Sequence, residues 1–501
     1  MRLMHKAISE TNLNKKESLT VKTVKSSLWM IGSTGFLSVT KIIFVFILAR
    51  LLRPEDFGVF SLATIFTNIF KTLGRHGISH YIVQNKNINQ NKKIASIHIN
   101  ILLGTLSSIA LFLSSETISK IINFEGLEEV LKLLSIIPFC ASISQVSEGL
   151  MQKDLKFKEI SLINSFAFLI SNIFIVFPLA LNNFGVLSMV LGAIFTTLLT
   201  SIILFILKPI NFFKIVDIGP YKKIIKFGSS ISLSSVFQVT SNNIDNFFIG
   251  NFFGPEILGI YNIAFQILVV PTKLIGVSLS TVLFPAISAK QNNNRSISKA
   301  LNYSISIISL ICFSLSSFIF ANTSEIVNLI LGEGWSQVIL PLKILSLGIM
   351  ARVCSKLCES AITAIGNVRK LVLIKFLNLI IIITGIYIGK MFNFLGTTIG
   401  VCIALNLNFL LILSITFNTI KISWDFTLKN ILRYLIFIAF TYFISLKINI
   451  FSGQFINNSI LVLLINCIFY ISFYGSIYKF LPNLLTSELK NLKDIKKSIW
   501  V

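Results

Sequence analysis

Uninterrupted apolar runs of about 20 residues recur along this chain from one end to the other. As a helix, a run of that length crosses the roughly 30 Å hydrocarbon core of a bilayer. Lipid offers no partner to a backbone N–H or C=O, so a spanning segment must be a helix or part of a closed barrel. Barrel strands alternate in polarity over about ten residues, and these runs do not alternate. The chain therefore reads as an all-α polytopic membrane protein. Its composition agrees: 54% of the 501 residues are hydrophobic and 13% are charged, against about 25% charged in soluble domains. Residues 1–25 are polar and Lys-rich, and the apolar run that follows is too long for a cleavable signal.

Fourteen spans are read, at 24–48, 57–83, 94–114, 130–151, 160–181, 185–207, 225–250, 256–283, 299–321, 337–363, 369–389, 395–417, 431–447 and 458–479. The connections between them alternate in charge. Lys15, Lys16, Lys22 and Lys25 precede the first span; Lys86, Lys92 and Lys93 follow the second; Lys153, Lys156 and Lys158 follow the fourth. The same holds after each later even-numbered span and in the C-terminal tail. The other connections are poor in Lys and carry acids such as Glu55, Asp56, Glu128, Glu129, Glu256 and Glu333. Positive loops stay inside, so both termini are expected in the cytoplasm. The net charge of +24 is then mainly a topology signal, not a nucleic-acid surface. No GxxxxGK[ST] loop occurs, so the chain is not expected to hydrolyse ATP. No cofactor is expected. All six cysteines fall in apolar runs, and none has the neighbours a zinc site needs.

A short charged stretch, LARLLRPEDFGVFSLA at 48–63, has an echo in IGNFFGPEILGIYNIA at 249–264. A shift of 201 aligns Pro54 with Pro255, Glu55 with Glu256, Gly58 with Gly259, Phe60 with Tyr261 and Ala63 with Ala264. A shift of 211 aligns LKLLS (131–135) with LKILS (342–346) and Glu148 with Glu359. Six helices thus occur twice. Six is even, so the copies are parallel, related by an axis along the membrane normal, as in transporters that work by alternating access. The expected division is a cytoplasmic arm (1–23), a first bundle (24–207), a linker (208–224), a second bundle (225–417), two extra spans (418–480) and a cytoplasmic tail (481–501). Pro54 suits the first turn of span 2, and Glu55 and Asp56 suit its dipole.

A charge inside a span costs about 2.5–3.5 kcal/mol on insertion scales and tends to face protein or water. The cations so placed are Lys41, Lys71, Arg75, Lys132, Lys273, Lys343, Arg352 and Lys356; the acids are Glu148, Asp245 and Glu359. The excess of cations suits an anionic substrate such as a phosphate or pyrophosphate. Arg352, Lys356 and Glu359 share one helix stripe, expected to face a central cleft unless Lys356 and Glu359 merely pair. Lys41, Lys71 and Arg75 form a second basic region, with Lys273 as the counterpart in the other bundle. Lys132 and Lys343 are repeat-equivalent and line a cavity or snorkel to the interface. Asp245, Glu148 and Glu359 are the candidates for a coupling proton or cation. His76 and His80 lack the Glu of an HExxH arrangement, and no metal is assigned to them.

Together, ARLLRPEDFGVFSLA with the later GISHYIVQ, EGLMQKDLKFKEI, DNFFIGNFFGPEILGIYNIA and TVLFPAIS resemble the polysaccharide transporter family, its O-antigen and exopolysaccharide repeat-unit flippases, within the multidrug/oligosaccharidyl-lipid/polysaccharide exporter superfamily. The resemblance covers about residues 25–420. It implies two six-helix bundles and a bacterial inner-membrane location. The implied cargo is an undecaprenyl-pyrophosphate-linked oligosaccharide moved from the cytoplasmic to the periplasmic leaflet, driven by H⁺ or Na⁺, with other polysaccharide assembly proteins as partners. The chain departs from the pattern in span 2, where Arg75 and His76 stand in place of an acidic or small residue. A multidrug/cation antiporter would want an acidic cavity. A membrane polymerase or glycosyltransferase would want a long loop with catalytic acids, and none is present.

Overall fold

In the computed structural model of the chain, residues 19–85, 88–124, 126–210, 214, 217–288, 294–365, 367–420, 439–451 and 459–480 are described. The arm up to residue 18, residues 431–438 of the thirteenth run and the tail at 481–501 lie outside them. Regular structure among the described residues is entirely helical. Nine helices there are long and apolar enough to cross a membrane, and a bent pair adds a tenth. Shorter apolar helices run through Gly35–Ala49, Ala439–Phe451 and Ile460–Phe473. The protein is thus an all-α, multi-pass membrane protein. Its contacts divide it into two compact units, residues 1–243 and 244–501.

The first unit contains α1 (Leu19–Ala49), α2 (Pro54–Arg75), α3 (Ile78–Gln84), α4 (Gln90–Ile122), α5 (Leu127–Leu134), α6 (Ile136–Lys153), α7 (Phe157–Leu181), α8 (Val186–Leu207) and α9 (Ile218–Asn242). Helix α2 begins as its sequence anticipates. Pro54 occupies the first turn, Glu55 and Asp56 follow, and Asp56 Oδ2 accepts the N–H of Arg53 at 2.9 Å. Pro has no N–H to leave unsatisfied there, and acids complement the positive helix end. Span 2 does not continue to residue 83 as one helix. His76 and Gly77 are both left-handed, with φ of 43° and 59°, so the chain breaks directly after Arg75 and resumes as α3.

Small residues let the helices of this unit approach closely. A Cβ on Gly74 would lie 3.1 Å from the Gly104 Cα, so α2 and α4 cross backbone to backbone. Next to this crossing, Ile78, Ile82, Ala95, Ile97, Val146 and Ile224 form a buried core. Helix α9 joins the same unit at the break in span 2: His76 Nε2 lies 3.2 Å from the Ile225 carbonyl oxygen, and His98 Nδ1 lies 2.7 Å from the Tyr221 hydroxyl.

The second unit contains α10 (Ile244–Ser288), α11 (Asn294–Ala321), α12 (Thr323–Ile330), α13 (Ile339–Ser346), α14 (Ile349–Ala364), α15 (Val368–Lys390), α16 (Asn393–Ile420), α17 (Ala439–Phe451) and α18 (Ser459–Phe480). The echo of the Arg53–Pro54 turn is Gly254–Pro255. Here a single residue makes the turn inside α10, with φ 83° at Gly254, a conformation only glycine takes without strain.

The two copies share a second break. Span 4 is divided between α5 and α6 at Ser135, and span 10 is divided between α13 and α14, whose axes bend by 47°. The breaks follow the matching LKLLS and LKILS segments. In both, the serine donates back to the carbonyl three residues earlier, Ser135 to Lys132 at 2.6 Å and Ser346 to Lys343 at 2.7 Å. Such back-bonding competes with the helix ladder; in span 10 it accompanies the 47° bend, whereas Leu127–Lys153 runs through Ser135 as one span.

The last two described helices are fastened to α11 by polar side chains. Ser317 Oγ lies 2.8 Å from the Tyr470 hydroxyl and 3.2 Å from Thr441 Oγ1. Ser445 donates to Asn466 Oδ1 at 2.6 Å, Asn466 to Asn449 Oδ1 at 2.7 Å, and Asn449 to the Ala321 carbonyl at 2.9 Å.

Candidate substrate cavity

Five helices of the first unit line an open, polar cavity of about 310 Å³. Lys41 comes from α1, Lys71 and Arg75 from α2, and Ser144 and Glu148 from α6; α7 adds Asn164 and Phe168, and α8 adds Thr196, Thr197, Thr200 and Ser201. Lys71 and Arg75 are four apart, hence on one helix face. The break at His76 leaves Arg75 as the last residue of α2, held at the cavity edge.

Arg75 Nη2 donates to Glu148 Oε2, and this pair is only partly exposed, at 30% and 21% of its side chains. The other carboxylate oxygen of Glu148 accepts from Gln152 at 3.1 Å. Arg75 Nε is buried with no hydrogen-bond partner among the described residues. Lys41 Nζ lies 5.5 Å from the centre of the Phe168 ring, a distance at which an ammonium is attracted to an aromatic face. One carboxylate against three cations leaves the cavity net positive.

The second unit has a separate charged cluster, built on other positions of the repeat. Asp245 follows the helix break at Asn243, in the first turn of α10. Its Oδ1 accepts the N–H of Asn246 at 2.9 Å, and its Oδ2 accepts the hydroxyl proton of Tyr261 at 2.8 Å. The Arg352 guanidinium stacks 3.8 Å from the centre of the Phe265 ring, within electrostatic range of Asp245 and Tyr261. Arg352 and Glu359 are half-buried and Lys356 is exposed, whereas Cys354, Leu357 and Cys358 are buried. Within the charged stripe of span 10, Lys356 is exposed while Arg352 packs against Phe265 of α10.

The sequence candidates thus sort into groups. Lys41, Lys71, Arg75 and Glu148 converge on one cavity; Asp245 and Arg352 converge in the other unit. Lys132 lies on α5, three residues before Ser135, and pairs with Glu128 at 2.5 Å. Lys343 lies on the equivalent segment α13. The Lys273 side chain lies outside the described residues. Spacing along the chain missed the hydroxyl row of α8 and the role of Tyr261. The repeat carried a signal for the latter, since Tyr261 stands where the first copy has Phe60.

A polar, cation-lined cavity thus lies within the first unit of a multi-pass helical membrane protein. The chain matches the polysaccharide biosynthesis protein family over residues 47–340, more than half its length, and belongs to that family. The lipopolysaccharide biosynthesis protein WzxC of Escherichia coli K12 is 25% identical over 390 residues, 76% of this chain and 78% of its own. An uncharacterized membrane protein in the cps region of Klebsiella pneumoniae is 26% identical over 395 residues, 78% of this chain and 81% of its own. The fold is similar to that of the lipid II flippase MurJ, solved in an inward closed conformation, with a TM-score of 0.71 at 18% identity over 91% of this chain and 99% of that one. The protein is accordingly a multi-pass membrane protein of the polysaccharide biosynthesis family.

Proposed function

We propose that the protein carries a lipid-linked oligosaccharide repeat unit from the cytoplasmic to the periplasmic leaflet of the bacterial inner membrane, for surface polysaccharide assembly. The observation that carries this is the net positive cavity of the first unit, where Lys41, Lys71 and Arg75 face a single carboxylate. A lipid-linked glycan joined through pyrophosphate brings the matching negative charge, and charge-assisted hydrogen bonds to phosphate are among the strongest available to a protein. The glycan travels in the polar cavity while the undecaprenyl tail stays in lipid. A cationic drug would be repelled by the same walls, which disfavours multidrug antiport.

Ion coupling is part of the proposal. Arg75 is bonded to Glu148, so a proton on Glu148 would release Arg75 to bind phosphate, and its loss would recapture Arg75. Asp245 and Glu359 remain candidates for a second coupling site. In this scheme both termini are cytoplasmic. The test is reconstitution into vesicles with undecaprenyl-pyrophosphate-linked oligosaccharide, scoring glycan accessible from outside. Movement is expected under an imposed pH or Na⁺ gradient, with loss in Lys71→Met and Arg75→Met. Absence of movement under either gradient refutes the proposal.

A further inference from the structure

Helix α9 turns one face to the rest of its unit and leaves another open. The inner face is fastened beside the break in span 2. His98 Nδ1 lies 2.7 Å from the Tyr221 hydroxyl, and His76 Nε2 lies 3.2 Å from the Ile225 carbonyl oxygen. Ile224, Gly228 and Ser232 are buried on this face. A Cβ on Gly228 would lie 2.3 Å from the His76 carbonyl oxygen, so backbone meets backbone there.

The open face is a single stripe. Lys222, Lys226, Ser229, Leu233 and Phe237 follow i, i+4, i+7, i+11 and i+15 spacing, so they stand in line along the helix. All five are exposed, and the exposed Lys223 flanks them. The chemistry changes in order along the stripe: cations first, then a hydroxyl, then two large apolar side chains. Leu233 and Phe237 are exposed at 74% and 45%. Lys226 and Leu233 stand about 10 Å apart along the axis. A phospholipid presents the complementary sequence, from anionic phosphate through glycerol to hydrocarbon.

The three cations are also not neutralised locally. On α4, Lys120 pairs with Glu116 at 2.6 Å, and on α5, Lys132 pairs with Glu128 at 2.5 Å. Lys222, Lys223 and Lys226 make no ion pair among the described residues. The rule that keeps positive connections inside asks only for cations near this span. It does not place them on one exposed helix face that continues into apolar side chains. A soluble acidic partner would meet Leu233 and Phe237 where it needs more charge.

We propose that this stripe binds an anionic phospholipid, with its phosphate on Lys222, Lys223 and Lys226 and an acyl chain along Leu233 and Phe237. The bound lipid covers the outside of a helix that His76 and His98 hold from within, and so steadies the joint next to Arg75. The inference does not depend on the cargo proposed above.

The test reconstitutes the full-length protein into nanodiscs of phosphatidylcholine with a rising fraction of phosphatidylglycerol and reads the thermal unfolding midpoint. The midpoint is expected to rise with phosphatidylglycerol, and to lose that rise in high salt because the lysines are exposed. Each lysine near an anionic surface contributes about fivefold in affinity. Lys222→Gln, Lys223→Gln and Lys226→Gln together should therefore weaken phosphatidylglycerol about a hundredfold, and each alone about fivefold. In phosphatidylcholine alone the triple variant should unfold with the unaltered protein, which shows that it is folded. Arginine at all three positions should keep the rise. Leu233→Asn leaves every charge in place and should weaken phosphatidylglycerol about tenfold. Soluble glycerol phosphate, which has the phosphate without the chains, should leave the midpoint unchanged. No rise in the unaltered protein, or an equal rise in the triple glutamine variant, overturns the inference. So does an unchanged affinity in Leu233→Asn or a rise with glycerol phosphate, since either leaves an anion site without a lipid.

Discussion

Tyr261→Phe removes one oxygen and leaves the packed shape intact. Tyr261 is fully buried, and its hydroxyl donates at 2.8 Å to Asp245, a carboxylate only 8% exposed. Two scales compete for the magnitude. Interhelical hydrogen bonds in membrane proteins average about 0.6 kcal/mol, whereas bonds to a charged group contribute about 1.5–3 kcal/mol. The other oxygen of Asp245 is already engaged by the Asn246 N–H, so the substitution strands one charged oxygen in a buried place. The larger scale applies, and a loss of about 2 kcal/mol follows. Asp245 and Tyr261 lie on opposite sides of the Gly254 turn, so the bond ties together the two helical segments that meet there. Thermal unfolding of the purified protein should show a midpoint lowered by about 4–8 °C, at about 2–4 °C per kcal/mol for a unit of this size. In an Asp245→Asn background the same substitution should cost much less, because the charge is gone. A drop near 1–2 °C would mean that the bond follows the membrane average and that a charged Asp245 is the wrong premise. Equal losses in both backgrounds would show that the two side chains are not coupled.

Glu148→Gln removes the cavity's single acid, so pyrophosphate should bind more tightly while gradient-driven transport slows; weaker binding in a titration would contradict the assignment. Arg352→Ala with Lys356→Ala should abolish export while the protein remains in the membrane, and full export would remove the span 10 stripe from the substrate path. Gly104→Val would place a Cβ 2.6 Å from the Ser142 Cβ; overpacking of this kind costs about 1–3 kcal/mol, read as a lower unfolding midpoint. Tyr470→Phe should lower the midpoint by less than Tyr261→Phe, since its bond to Ser317 is neutral on both sides.

Much of the helical plan is legible in the sequence because hydrocarbon imposes it directly. An apolar run of about 20 residues has few alternatives in lipid, so span positions follow from local composition. The start of α2 at Pro54 is equally local, written in its cap and its first turn. The breaks are harder to see. Nothing in KTLGRHGISH distinguishes a continuous helix from one interrupted at His76–Gly77, because glycine occurs within membrane helices as well as at their ends. The site is less legible still. Arg75 and Glu148 stand 73 residues apart, on helices whose relative rotation is a property of packing. Lys71 and Lys132 look alike as lone cations in apolar surroundings, yet the first lines a cavity and the second pairs at an exposed helix end with Glu128. The hydroxyl row of α8 gives no signal at all, since serine and threonine are ordinary in membrane helices.

The LKLLS and LKILS segments belong to both halves of the chain, as do the charged pairs Lys132–Lys343 and Glu148–Glu359, whereas the cations of the two clusters do not. Lys41, Lys71 and Arg75 have no cationic match at their shifted positions, and Arg352 falls opposite Ala141. Both halves therefore kept the serine-ended segment and these paired charges through duplication, and the cations of each cluster were written separately. One half could be re-specified for a different cargo without disturbing the joints on which the other depends. A chain built this way can acquire a new glycan by changing a few side chains on one side, with its mechanical parts left as they are.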